Sequence, residues 1–199
     1  MDAIRAIDFL LALIGLFVLS PVFLLVSFII AITSKGPIFF KQTRVGKDGK
    51  DFTLLKFRTM VINAEKKGLL TVGGKDSRIT FIGYYLRKYK IDELPQLFNV
   101  LLNEMSLVGP RPEVRRYVDM YTLDQKITLT VLPGITDYAS IIYRNENEIL
   151  ARATNPEQYY IEQIMPQKIQ LNYKYINNRT IFEYFKIIGK TLVISFRGK

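Results

Sequence analysis

From Phe9 to Ile32 the chain reads FLLALIGLFVLSPVFLLVSFIIAI, 24 residues without one charged side chain. As a continuous helix this run is about 36 Å long, more than the roughly 30 Å hydrocarbon core of a bilayer. It is apolar on every face, which a helix lying on a soluble core is not. It is too long for the apolar region of a signal peptide, and no small-x-small cleavage site follows it. The run therefore predicts a membrane-bound chain. Ser20-Pro21 lies near its middle. Proline removes a backbone donor and bends a helix, and a neighbouring serine hydroxyl can satisfy the carbonyl set free. Two geometries follow: a kinked span, or a helix that turns at Ser20-Pro21 and returns to the face it entered from. By frequency alone a span is the default. The short tail carries Asp2, Arg5 and Asp8 and is nearly neutral, whereas Lys35, Lys41, Arg44 and Lys47 follow the run, so the basic flank is expected in the cytoplasm.

The formal net charge of +10 over 199 residues points to anionic partners: nucleic acid, a phospholipid surface or a phosphorylated substrate. The length suits one domain with a real core. The chain has no cysteine and no histidine. Thiolate catalysis, zinc-thiolate sites, disulfides, Ser-His-Asp triads and histidine-ligated metals are thereby excluded. A magnesium ion held by oxygen ligands remains open. Basic residues are scattered and no nucleic-acid recognition motif is present, so nucleic acid is not expected as a partner.

The best-placed carboxylates lie in RKYKIDELPQLFNVLLNEMSLVGPRP, residues 87–112. Leu94, Leu97, Phe98, Leu101 and Leu102 recur at the spacing of one apolar helical face, and Pro95 suits the first turn of such a helix. This places Asp92 at or near the N-cap and Glu93 in the first turn, where free amides and the helix dipole favour an ionised carboxylate. Asp92 is then either a cap alone, or an anion able to bind a metal or act as nucleophile. After the helix, two prolines hold Arg111 in a rigid turn suited to phosphate recognition.

Elsewhere the chain reads as an α+β fold, a mostly helical domain with one small β-hairpin. The hairpin runs from Ile38 to Val45 and from Asp51 to Met60 around Gly46–Gly49. Lys56 and Arg58, two apart on its second strand, are expected on one face, where they could grip a diphosphate. Asn63–Ser77, with Gly68, Gly73 and Gly74, predicts a mobile loop near the site. Ile79–Lys90 predicts a short helix carrying Arg87 to the acidic pair. A turn at Leu132–Thr136 precedes Arg144. Pro156–Tyr175 predicts a helix kinked or broken at Pro166. The amphipathic C-terminal stretch, with Lys186, Lys190 and Arg197, is expected on the core or the membrane surface.

Taken together, Ser20-Pro21, LLKFRTM (54–60), DSRITFIGYYLRKYKIDELPQLFNV (76–100), MSLVGPRP (105–112), LPGIT (132–136) and the segment from Pro166 to Tyr175 closely resemble the bacterial sugar transferases. These are the monotopic polyprenyl-phosphate phosphoglycosyl transferases, and the chain looks like their minimal single-domain form. The resemblance implies transfer of a sugar-1-phosphate from a nucleoside-diphosphate sugar, UDP-linked by preference, to undecaprenyl phosphate with release of UMP. It implies that Asp92 attacks the β-phosphate to form a phosphosugar-aspartyl enzyme, that Glu93 assists, and that Mg2+ binds at Asp92. Lys56, Arg58, Arg87, Arg111 and Arg144 become the candidate phosphate ligands. The membrane segment, residues 1–36, is implied to be re-entrant and broken at Ser20-Pro21, with a catalytic domain of residues 37–199 on the cytoplasmic face of the bacterial inner membrane. Phospholipid is then a partner, and a homodimer is left open. The chain departs from the family where GWAQVNGRN is common, reading DYASIIYRN instead, so the donor sugar is not read from sequence. The rival reading is a non-enzymatic basic anchor that recruits an anionic partner.

Overall fold

The computed structural model describes residues 3–64, 68, 70–73 and 76–196. Asp2, Gly74 and Arg197, used above, lie outside the described residues. The fold is α+β and mostly helical. Helices α1 (Ala3–Val18) and α2 (Ser20–Thr33) lead into a hairpin of β1 (Phe39–Val45) and β2 (Asp51–Phe57). Then come α3 (Phe81–Lys88), α4 (Gln96–Leu101), β3 (Ser106–Val108) and α5 (Arg115–Val118). They are followed by β4 (Gly134–Thr136), α6 (Tyr138–Ile142), α7 (Glu146–Ala151), α8 (Pro156–Tyr159), α9 (Met165–Asn177) and α10 (Ile181–Phe196). β1 and β2 pair antiparallel in register from Phe39 opposite Phe57 to Val45 opposite Asp51. β3 and β4 form a second, parallel pair that the sequence did not announce. There Gly109 and Gly134 bring their backbones so close that a Cβ on either would strike the other strand's segment.

Among the described residues no single helix is long and apolar enough to cross a membrane, but α1 and α2 form one apolar pair bent by 60°. The bend has the expected cause. Pro21 has no N–H for the carbonyl of Phe17, and the Ser20 hydroxyl donates to that oxygen at 2.8 Å instead. Phe17, Val18, Leu24, Leu25, Phe28 and Ile32 around the bend stay exposed. Both outer ends of the pair are tied to the body. Arg5 on α1 donates to the carbonyls of Val100 (2.5 Å) and Met105 (3.3 Å), capping the end of α4. Asp8, one turn on, is buried and accepts from the Leu107 amide (2.8 Å) and the Tyr184 hydroxyl (2.6 Å). At the far end of α2, Arg58 donates to the carbonyls of Ser34 and Lys35.

Several expected boundaries shift. The hairpin's second strand ends at Phe57 rather than Met60, so Lys56 and Arg58 do not share a strand face. α3 is shorter than Ile79–Lys90, starting after Thr80, whose hydroxyl caps the Gly83 amide at 3.0 Å. The described part of 63–77 is gathered around Arg78, which donates to the carbonyls of Gly68 (2.7 Å) and Leu70 (2.7 Å) and pairs with Asp76. Pro166 stands in the first turn of α9, where the helix expected over Pro156–Tyr175 is interrupted. It follows a π-helical turn, Tyr160–Ile164, in which the Met165 amide reaches back to the Tyr160 carbonyl. The wider turn accommodates a proline ring that would clash with the carbonyl four residues earlier.

Because Asp8 carries two hydrogen bonds from different elements in a dry setting, Asp8→Ala should cost about 2–4 kcal/mol. Thermal unfolding in detergent should show a Tm lowered by roughly 5–10 °C, with a smaller drop for Asp8→Asn, which keeps an acceptor.

Candidate active site

Lys90 adopts a left-handed backbone (φ 59°) and sends the chain into a single 3₁₀ turn, Ile91–Glu93, ahead of α4. Pro95 then occupies the N-cap of α4, as a residue without an amide donor can. Asp92 is therefore not the helix cap expected from spacing: it sits in the preceding turn and makes no capping hydrogen bond. The buried face of α4 also differs from the expected stripe. Gln96, Leu97, Asn99 and Val100 are buried, whereas Phe98 and Leu102 are exposed. Phe98 is apolar because it meets Phe23 of α2 edge to face, with ring centroids 5.9 Å apart.

The turn buries both carboxylates, with different consequences. Glu93 Oε1 receives Lys56 Nζ at 3.0 Å and Arg111 Nη2 at 2.5 Å. Burial alone would raise the Glu93 pKa, but these two cations outweigh it and hold the group well below the usual carboxylate range. Arg111 is raised in turn by Glu93. Asp92 has the opposite balance: burial, then the charge of Glu93, raise its pKa, with Lys56 and Lys90 only partly opposing. The sequence reading favoured ionisation through the helix dipole; the tertiary fold instead desolvates Asp92 and places an anion beside it, which raises its pKa. Desolvation brings Lys56 down to about 8 despite Glu93. Arg111 owes its placement to the Pro-Arg-Pro turn, which Arg44 holds by donating to the Pro112 carbonyl at 2.9 Å while the Val45 amide reaches Glu113 at 2.9 Å.

Lys56, Arg87, Lys90, Asp92, Glu93, Arg111 and Arg144 all line one cleft of about 730 Å³. Arg87 donates to the Thr71 hydroxyl at 2.9 Å. Arg58 borders the same cleft, but its terminal nitrogens are taken up by the end of α2. Sequence reading missed Asn99. β2 pairs with β1 only, leaving one edge of backbone groups unmatched. Asn99 matches them: its Oδ1 accepts from Leu55 N at 3.1 Å and its Nδ2 donates to Thr53 O at 2.7 Å, locking α4 beside Lys56. A polar residue inside the apolar run of α4 was the available signal.

For a cation, Asp92 Oδ1 is the relevant atom: it is buried and has no hydrogen-bond partner. No group of three or more Asp, Glu, His or Cys converges among the described residues. That donor set fits magnesium, which takes one or two carboxylates and completes its shell with water and substrate phosphates.

The family described as bacterial sugar transferase matches residues 2–198 of this chain. A UDP-N-acetylgalactosamine-undecaprenyl-phosphate N-acetylgalactosaminephosphotransferase of Aeromonas hydrophila is 37% identical over 193 residues, covering 94% of this chain and 42% of that protein. A UDP-glucose:undecaprenyl-phosphate glucose-1-phosphate transferase of Escherichia coli is 33% identical, covering 98% of this chain and 40% of its own length. The chain thus spans about two fifths of these two relatives. An uncharacterized sugar transferase EpsL of Bacillus subtilis is 38% identical, with 94% of this chain and 84% of that protein covered.

The opposed environments of the two acids predict opposed stability effects. A carboxyl whose folded pKa is raised destabilises the fold when ionised at neutral pH, so Asp92→Asn should leave Tm unchanged or raise it. Glu93→Gln leaves Lys56 and Arg111 as uncompensated buried cations and should cost about 3–5 kcal/mol. Differential scanning fluorimetry of both variants at pH 7 checks the signs.

Proposed function

This chain belongs to the bacterial sugar transferase family, and from that premise we propose that it is a phosphoglycosyl transferase. It moves a sugar-1-phosphate from a UDP-sugar to undecaprenyl phosphate and releases UMP. The observation that carries the proposal is the buried Asp92-Glu93 turn, with Asp92 Oδ1 free beside a Glu93 neutralised by Lys56 and Arg111. Undecaprenyl-phosphate sugar-1-phosphate transfer is what the names of the Aeromonas and Escherichia relatives state for those proteins.

The residues support a two-step course. An Asp92 carboxylate oxygen attacks the β-phosphorus of the donor; the bond to the bridging oxygen breaks and UMP leaves. The acceptor phosphate oxygen then attacks the same phosphorus, the aspartyl bond breaks, and the carboxylate is regenerated with a polyprenyl diphosphosugar as product. A covalent carboxylate intermediate lets the soluble donor and the lipid acceptor react in turn. Lys56, Arg111 and Arg87 line the cleft as cations able to meet charge developing on the phosphoryl oxygens. Glu93, held ionised by both cations, orients Lys56 and Arg111. Magnesium would bind through Asp92 and the donor phosphates and neutralise the diphosphate.

We place the catalytic body on the cytoplasmic face of the bacterial inner membrane, with α1–α2 re-entrant. α1 and α2 contain 16 and 14 residues, so each is about 21–24 Å long and shorter than the hydrocarbon core. Arg5 and Asp8 at one end and Arg58 at the other tie both ends to one body, which supports entry and exit on the same side.

The direct test follows UMP release by the purified chain with magnesium, a UDP-sugar panel and undecaprenyl phosphate. Release with one donor, sustained only when lipid is present, is expected. Sustained release without lipid would indicate a hydrolase, and no release with any donor would favour a non-enzymatic anchor. Asp92→Asn should lower release by at least about 10⁴-fold. With Lys56 brought down to about 8, the rate should fall above that pH as the ammonium is lost, and Lys56→Arg should abolish this alkaline limb. A cysteine placed at Ala3 should react only with membrane-permeant reagents in intact cells.

A further inference from the structure

The cleft has a second polar wall, separate from the dyad. Glu113, Glu146, Tyr160 and Lys168 all line it. Lys168 is buried, and its ammonium lies 3.1 Å from Glu146 Oε2, 3.7 Å from Glu113 Oε1 and 3.4 Å from the Tyr160 hydroxyl. Tyr160 in turn donates to Glu113, whose other oxygen is 3.6 Å from Arg44. The wall is charge-balanced, two carboxylates against one ammonium and one guanidinium. It opens the π-helical turn at Tyr160, a rare element that concentrates at functional sites.

We infer that this wall, built on Glu113, Glu146 and Lys168, is the subsite for the glycosyl ring of the donor; the inference rests on the transferase reading above. The chemistry separates the parts of a UDP-sugar. A charge-balanced wall offers a diphosphate no net attraction, so the diphosphate belongs with Lys56, Arg87 and Arg111. A flat base needs an open aromatic face, but the Tyr160 ring is covered by Lys168 Nζ at 5.1 Å and packed by Tyr117 at 5.1 Å between centroids. What remains is a neutral group rich in hydroxyls, for which an ammonium donor between carboxylate acceptors offers paired hydrogen bonds. Such a wall discriminates sugars because a hydroxyl that is missing or inverted cannot exchange hydrogen bonds with its carboxylates and ammonium.

The test uses the full-length chain carrying Asp92→Asn, so that donors bind without turnover. Affinities are measured for UDP and for UDP-N-acetylgalactosamine, UDP-N-acetylglucosamine, UDP-glucose and UDP-galactose, with Glu146→Gln or Lys168→Met added. The subsite predicts that Kd for the preferred UDP-sugar rises about tenfold or more, that the ranking of sugars flattens, and that Kd for UDP stays within about twofold. Glu146→Gln keeps the shape of the side chain and serves if Lys168→Met fails to fold. Equal weakening of UDP and UDP-sugars would assign the wall to the nucleotide and overturn the inference. Unchanged affinities would reduce the wall to a structural clamp and overturn it as well. If the wild-type chain with magnesium binds neither UDP nor any UDP-sugar, the transferase reading itself falls.

Discussion

One carboxylate oxygen organises this molecule. Glu93 Oε1 is shared by Lys56 from the hairpin and Arg111 from the Pro-Arg-Pro turn, so three chain segments far apart in sequence meet at one buried point. A buried anion is tolerated only when it is paired, and a buried cation likewise. The cluster therefore constrains the segments as much as they constrain it. Its by-product is Asp92, placed next to an anion in a dry turn with one oxygen unmatched. That is an unfavourable position for a structural acid and a useful one for a nucleophile awaiting a cation and a phosphate.

The supports of this point run into the apolar helix pair α1–α2. Asn99 locks α4 to the free edge of β2, Arg5 caps α4 from α1, and Asp8 anchors α1 to β3 and α10. α1 is thus part of the frame that sets Glu93, Lys56 and Arg111 against one another. The bend at Ser20-Pro21 lets an apolar pair of helices start and finish on that frame. The proposed transfer from a water-soluble donor to a lipid acceptor calls for a cleft beside an apolar surface, and these ties hold the apolar helix pair and the cleft on one frame.

Local features were legible in the sequence. Proline at 21 next to serine specified the break, alternation and a Gly-rich turn specified the hairpin, and an acidic pair before a Pro-led apolar run located the dyad. What escaped was set by tertiary contact. The dipole argument considered only a helix end, whereas burial and the neighbouring Glu93 raise the Asp92 pKa from its ordinary value. Arg58 looked like a phosphate ligand, yet its strand ends one residue earlier and its guanidinium turns to α2. Phe98 and Leu102 matched a core stripe but face outward, and the polar wall joins residues from Glu113 to Lys168 that no spacing rule connects.

The central claim is that Asp92 carries the phosphosugar between two half-reactions. Intact-mass spectrometry of the protein incubated with magnesium and its UDP-sugar, without lipid acceptor, tests it most directly. The account predicts a mass gain of one sugar phosphate, mapped to the peptide containing Asp92, absent in Asp92→Asn and discharged when undecaprenyl phosphate is added. Turnover to lipid product with no such adduct at any time, or an adduct that persists in Asp92→Asn, would contradict it.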